Sequence, residues 1–447
     1  MSHLKENIIS KKYFIIEFVC LFIFSMVIHC AVNNTDSWYD DALYWNLGKA
    51  CGWNVKNLPH AFRGWLLPYL FSVCYQFGGL FNREYFGYQI FASCMFSFTF
   101  TFSFVNVARM LKFAASDKRL AVSGSICGGL FFIFFRGIFI YTLSDFYAFS
   151  FSLLSVILAY YILECQQKIY IKLAEAFLLG LSLYAAYNIR TIYLFLAIEC
   201  CAVLMVWQLF QKKWKQIIVT LPACFAGMLI CSIPQFIVNH KLLGIWSWKV
   251  ITSGLVQAEN LMLYQLQCGI TFERYATFVG KPSQYGSPGM IFVNRVGERI
   301  LEQSQITEIT SYAQLIKLFI GYPLDFIGIY VRHFLNMLYP IYPNQYIYDI
   351  SSDKSLLLIT FYTILFIAVV HFITSFKLKS SCWVWFILIL VPCICILAGA
   401  VEIRFFIALY FLICMYAVLG LKDVVMKVKE KKVKYLLTYF IGFFLYV

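Results

Sequence analysis

The sequence predicts an all-α polytopic membrane protein with about eleven transmembrane helices. Three observations lead there. Of 447 residues, 62% are hydrophobic and only 13% charged, whereas soluble domains carry about 45–50% apolar and about 25% charged residues. The apolar residues fall in repeated runs of about 20, the length a helix needs to cross a hydrocarbon core of about 30 Å. Those runs are continuous and lack the period-two alternation of a membrane β-barrel.

The first run, 13–32, follows Lys5, Lys11 and Lys12, which places the N-terminus in the cytoplasm because basic residues favour that side. It has no small-x-small cleavage site and reads as a retained helix, not a signal peptide. Short basic loops at 109–119, 166–172, 211–215, 377–379 and 422–434 are expected on the cytoplasmic side too. That requires an odd number of crossings between the first external loop and Arg109. Segment 65–80 is short, holds Pro68 and ends in Gly78 and Gly79, so it is expected along the outer interface, and 84–110 is expected to cross. Further spans follow at 120–140, 145–163, 170–187, 191–209 and 217–238, and later at 356–376, 383–400, 405–421 and 435–447.

Between them lies 239–353, rich in turn signals such as Lys281-Pro282-Ser283 and Gly286-Ser287-Pro288-Gly289. These mark a folded extracytoplasmic loop. Within it, 321–339 is apolar but places Asp325, Arg332, His333 and Asn336 on one helical face, the pattern of an interfacial helix. Three regions result: an N-terminal membrane module over 1–238 with a first external loop at 33–64, the loop region 239–353, and C-terminal helices over 354–447.

The net charge of +14 sits mainly in the short basic loops. It carries orientation information, not a nucleic-acid surface. The 16 cysteines show no metal-ligand spacing and read as small packing residues. Trp38, Trp45, Trp246 and Trp248 suit an interfacial aromatic belt, or stacking on a sugar.

Against this apolar background the remaining charges stand out. Asp36, Asp40 and Asp41 follow the first span, with Tyr39, Tyr44, His60 and Arg63 close by. Arg136, Asp145, Arg190, Glu402 and Arg404 lie at turns expected on the same side. An ionisable group inside a membrane costs about 2.5–3.5 kcal/mol or more unless paired or hydrated. The plainer account is structural pairing at helix ends, for instance Arg136 with Asp145. Convergence of all of them on one leaflet points instead to a site. Arginine's planar fork binds phosphate bidentately, and a carboxylate can deprotonate an incoming hydroxyl or amine. No cofactor is expected. Two aspartates can hold a divalent cation, but no His/Asp/Glu spacing indicates one.

The segment YDDALYW (residues 39–45) resembles the acidic pair in the first external loop of the GT-C superfamily of polytopic glycosyltransferases. These use polyprenyl-phosphate sugars and include the protein O-mannosyltransferases and lipid A aminoarabinose transferase. Asp40, Asp41 and Tyr44 fit its pattern. FRGWLLPYL matches the basic residue before a Pro-containing aromatic segment with Arg63 and Pro68, and NIRTIYLFL and EIRFFIALYFL resemble its arginine-bearing helix starts at Arg190 and Arg404. The pair here is Asp-Asp where many members have Asp-Glu, which leaves the base open between Asp40 and Asp41. No WWDYG-like signature of the oligosaccharyltransferase branch is present.

The resemblance implies an inverting glycosyltransferase on the outer face of a bacterial cytoplasmic membrane, serving a cell-envelope glycan. Its donor would be a polyprenyl-phosphate sugar, and its acceptor a glycan, lipid or protein. Asp40 would be the general base with Asp41 beside it. Arg63, Arg190 and Arg404 would hold the donor phosphate, with Tyr44, Arg136, Asp145 and Glu402 in support. Two other classes fit the composition. One is a transporter or flippase for a lipid-linked solute, to which Glu199 within a span points. The other is an O-antigen-type polymerase.

Overall fold

A computed structural model describes residues 2–31, 39–113, 115–251, 261–277, 289–340, 355–375 and 381–429. Among these, nine helices are long and apolar enough to cross a membrane, or ten if one sharply bent pair forms a single span. The chain is an integral, multi-pass membrane protein. The expected span at 435–447, the basic loop 377–379, Asp36, Trp38 and the turn signals at 281–289 lie outside the described residues or at their edge.

Helix α1 (Ser2–Ala31) is followed by the short α2 (Tyr39–Cys51) and α3 (Leu66–Gly79). α3 falls short of a span, as its Pro68 and closing glycines suggested. α4 (Phe86–Met110) contains a π-helical stretch at Thr99–Ser103. Thr99 and Thr101 return their hydroxyls to the carbonyls of Met95 and Ser97, 2.8 and 2.6 Å away. Such polar insertions survive in a span because every backbone group still finds a partner inside the protein.

Five more spans follow: α5 (Asp117–Ile140), α6 (Asp145–Glu164), α7 (Ile169–Ile189), α8 (Leu194–Phe210) and α9 (Trp214–Leu243). α7 and α9 cross closely through Gly180 and Gly227. A Cβ on Gly180 would overlap the carbonyl of Cys224, and one on Gly227 that of Phe177. Small residues let membrane helices approach where no water-driven force pulls them together.

Beyond α9 the chain folds into a small unit with its own core of Leu263, Ile270, Ile300, Leu301, Phe326 and Ile329. It comprises α10 (Leu261–Thr271), a hairpin of β1 (Phe272–Thr277) and β2 (Gly289–Val293), α11 (Arg295–Gln303), α12 (Tyr312–Gly321) and α13 (Pro323–Met337). The hairpin is the only departure from an all-α chain among the described residues. α12 and α13 meet at 100°.

The polar face predicted on α13 exists, and its side chains find partners within the protein. Arg332 pairs with Glu273 at 3.0 Å and Asp325 with Arg299 at 3.3 Å. His333 is fully buried between the carbonyls of Leu397 and Phe272, at 2.7 and 2.8 Å.

α14 (Ser355–Ser375), α15 (Cys382–Ile396) and α16 (Ile407–Lys429) complete the bundle. The span expected over 383–400 is shorter than predicted. α15 has 15 residues, about 22 Å of helix against a core of about 30 Å. Pro392 lies within it, and the chain beyond Ile396 turns to meet His333 and the hairpin, where Tyr275 donates its amide to Val401. That turn leads directly into Glu402 and Arg404.

Candidate functional site

Residues far apart in sequence meet at one end of the bundle, where α6 begins and α7 ends. Asp40, on the first turn of α2, is half-buried, and its Oδ1 lies 2.5 Å from Nη2 of Arg63. Its other oxygen lies 3.7 Å from Nη1 of Arg404. That guanidinium also stands 3.8 Å from Asp145 and donates through Nε to Glu402 at 2.7 Å. Asp145 in turn holds Nη1 of Arg190 at 2.6 Å. The result is a chain, Arg63–Asp40–Arg404–Asp145–Arg190, with Glu402 attached. Three arginines balance three carboxylates.

The sequence places these groups through helix ends. Asp145 opens α6, Arg190 closes α7, and Arg404 lies in the 3-10 turn Ile403–Phe406 before α16. Asp145, Glu402 and Arg404 are buried, so mutual pairing offsets a large desolvation cost. Phe405 stands between two guanidiniums, with Arg190 4.7 Å and Arg404 5.2 Å from its ring centre. Tyr44 is buried, and Arg63 lies 5.0 Å from its ring. Both contacts suit the preference of guanidinium for aromatic faces.

Burial alone would raise the pKa of Asp40. The charges of Arg63, Arg404 and Arg190 outweigh it and hold the carboxyl below its ordinary value. His60, stacked on Phe62 with ring centres 3.7 Å apart, moves below its ordinary value through burial and repulsion from Arg63.

The acidic pair divides. Asp40 faces the arginines. Asp41 is 2% exposed and accepts from both the amide and the hydroxyl of Thr142, tying α2 to the turn between α5 and α6. Arg136 does not join the cluster. It is exposed on α5, next to a kink at Phe135, and Asp145 pairs with Arg190 instead. Glu199 lies on α8, half-buried and outside the cluster.

A cavity of about 690 Å³ opens beside the chain of charges, with Arg63, Asp145, Arg190 and Arg404 in its wall together with Lys249 and Tyr187. A second cavity of about 630 Å³ lies between α7, α8 and α9 and is lined almost entirely by apolar side chains, including Ala197, Phe225 and Met228. The two share Tyr187 and Leu194. Among the described residues no group of three His, Cys, Asp or Glu side chains is gathered to hold a metal ion.

Sequence reasoning missed Lys249, Phe405 and a buried amide chain of Asn188, Gln235 and Asn239. Gln235 and Asn239 were legible as an i, i+4 amide pair in an otherwise apolar run. Lys249 was not, because nothing in its own stretch of sequence connects it to Arg190. No protein-family model matches this sequence, and neither a curated protein nor a solved structure is significantly similar to it.

Proposed function

We propose that this protein is an inverting glycosyltransferase that moves a sugar from a polyprenyl-phosphate donor to an acceptor on the extracytoplasmic face. The observation that carries the reading is Asp40: a half-buried carboxylate held between Arg63 and Arg404 beside a cavity that both arginines line. In the proposed step an acceptor oxygen attacks the anomeric carbon of the donor. Its proton passes to the Asp40 carboxylate, and the sugar–phosphate bond breaks with its electron pair on the phosphate. Guanidiniums aimed at the leaving phosphate stabilise that developing charge.

The pairing of cavities supports a lipid-linked donor. A charged chamber beside an apolar one, with Tyr187 and Leu194 common to both, suits a molecule with an anionic head and a hydrocarbon tail. Asp41 serves as a strut in this reading, and Asp145 and Glu402 orient the arginines. A transporter would place its charged residues near the midplane on broken helices, whereas these lie at helix ends.

Lipid mass spectrometry on the detergent-purified protein tests the proposal, with an Arg190→Ala, Arg404→Ala double variant beside it. Co-purification of a polyprenyl-phosphate sugar with the wild type alone supports it. Bulk phospholipid in both, from variants that elute as folded protein, overturns it.

A further inference from the structure

Each arginine in the cavity wall is already engaged by a carboxylate: Arg63 by Asp40, Arg190 by Asp145, and Arg404 by Glu402. An arriving anion therefore meets a wall whose arginine charge is balanced. Lys249 also lines the cavity, and among the described residues no carboxylate pairs with it. Its ammonium lies 5.9 Å from the ring centre of Trp248 and is exposed.

The turn that presents Lys249 is built with unusual care for an exposed segment. Asn239 donates to the carbonyls of Ser247 and Lys249, at 2.7 and 2.8 Å. Tyr184 donates to the carbonyl of Trp248 at 2.7 Å, and the amide of Val250 donates to the hydroxyl of Tyr187 at 3.0 Å. Asn239 is fixed from behind. Gln235 donates to its side chain at 3.0 Å and accepts from Asn188 at 2.9 Å. Asn188 and Gln235 accept in turn from the amides of Leu66 and Trp65. All three amides are at most 1% exposed. This relay ends two residues from Arg63, two residues from Arg190, and on Lys249 itself. It fixes the relative positions of three cations drawn from three parts of the chain.

We propose that Lys249 contacts the anionic group of the ligand, a phosphate that is a diester in the sugar-bearing donor and a monoester in the lipid released after transfer, and that Gln235 is a positioning residue holding it in register with Arg63 and Arg190. The inference deepens the donor reading above and rests on it. A buried side-chain network is costly unless fully satisfied. Here it immobilises the backbone beneath one exposed lysine, which is how a binding group is preorganised.

The test is binding of farnesyl phosphate, farnesol and inorganic phosphate to the full-length protein in detergent, by calorimetry. Lys249→Gln is expected to weaken farnesyl phosphate about 10- to 100-fold, the worth of one charge-assisted contact. It should leave farnesol unchanged, and Lys249→Arg should restore most of the loss. Gln235→Leu should weaken the phosphate probe alone, which a general loss of packing would not do. If that variant fails to fold, Lys249→Gln still decides.

Wild-type affinity for farnesyl phosphate in Lys249→Gln, with loss in the Arg190→Ala, Arg404→Ala variant, overturns the assignment of Lys249 and leaves the donor reading standing. Equal wild-type affinity for farnesol and farnesyl phosphate overturns both. Lysine-dependent binding of inorganic phosphate as tight as that of the isoprenyl ester supports the anion contact and identifies free phosphate as its source.

Discussion

Asp41 accepts hydrogen bonds from both the amide and the hydroxyl of Thr142, 101 residues further along the chain. Its neighbour Asp40 turns to Arg63 and Arg404 instead. Two adjacent carboxylates thus serve different partners, and substitution should separate them. Asp41→Asn replaces a buried carboxyl that accepts two hydrogen bonds and is expected to cost about 1–3 kcal/mol, read as an earlier unfolding midpoint in detergent. Asp40→Asn should lower sugar transfer by at least about 100-fold, the worth of a general base, with a smaller shift in midpoint. If Asp41→Asn were the inactive and stable variant, the two roles would be exchanged.

The pKa of Asp40 gives the pH dependence a sign. Its folded value lies below the ordinary 3.8 because three arginines overcome burial. A depressed carboxylate contributes stability that is complete above the unfolded pKa and is lost as pH falls through the folded one. The difference in unfolding midpoint between wild type and Asp40→Asn should therefore be constant from neutral pH down to about pH 5. It should shrink only below 3.8. A difference that already changes between pH 6 and 7 would place another group, not Asp40, at the centre of the ion-pair chain.

How much of this was legible in the sequence depends on the range of the interaction. Length and apolarity fix a span locally, so helices such as 145–163 and 170–187 were placed almost residue for residue. α15 was overdrawn because its end is decided by a tertiary contact, His333 with the carbonyl of Leu397, which no local pattern announces. The site followed the same rule. Asp40, Arg63, Arg190 and Arg404 were legible because a charge near a membrane needs a partner. Which partner was not legible: Arg136 is close to Asp145 in sequence, yet Arg190 holds that carboxylate.

That correction carries its own test. Arg136 is exposed on α5, so Arg136→Ala should change unfolding by no more than about 0.5 kcal/mol and leave ligand binding at the wild-type level. Arg190→Ala should weaken binding and lower the midpoint, because it leaves the buried Asp145 with only the more distant Arg404. Equal effects from the two variants would mean that Asp145 draws on both arginines.

Gly64 shows how closely the chain between α2 and α3 is seated on the bundle. A Cβ at this position would overlap the backbone carbonyl of Asn188 and its side-chain Oδ1, the atom that accepts from the amide of Leu66. Backbone cannot yield as the tip of a flexible side chain can, so Gly64→Ala must lift the loop and carry Arg63 with it. Overpacking of this kind costs about 1–3 kcal/mol. The displaced arginine should also release Asp40, whose pKa is held down first by Arg63. The expected result is an earlier unfolding midpoint together with a smaller loss of stability as pH falls below 3.8. A lower midpoint with an unchanged pH profile would show that Arg63 keeps its place on Asp40 when the loop moves.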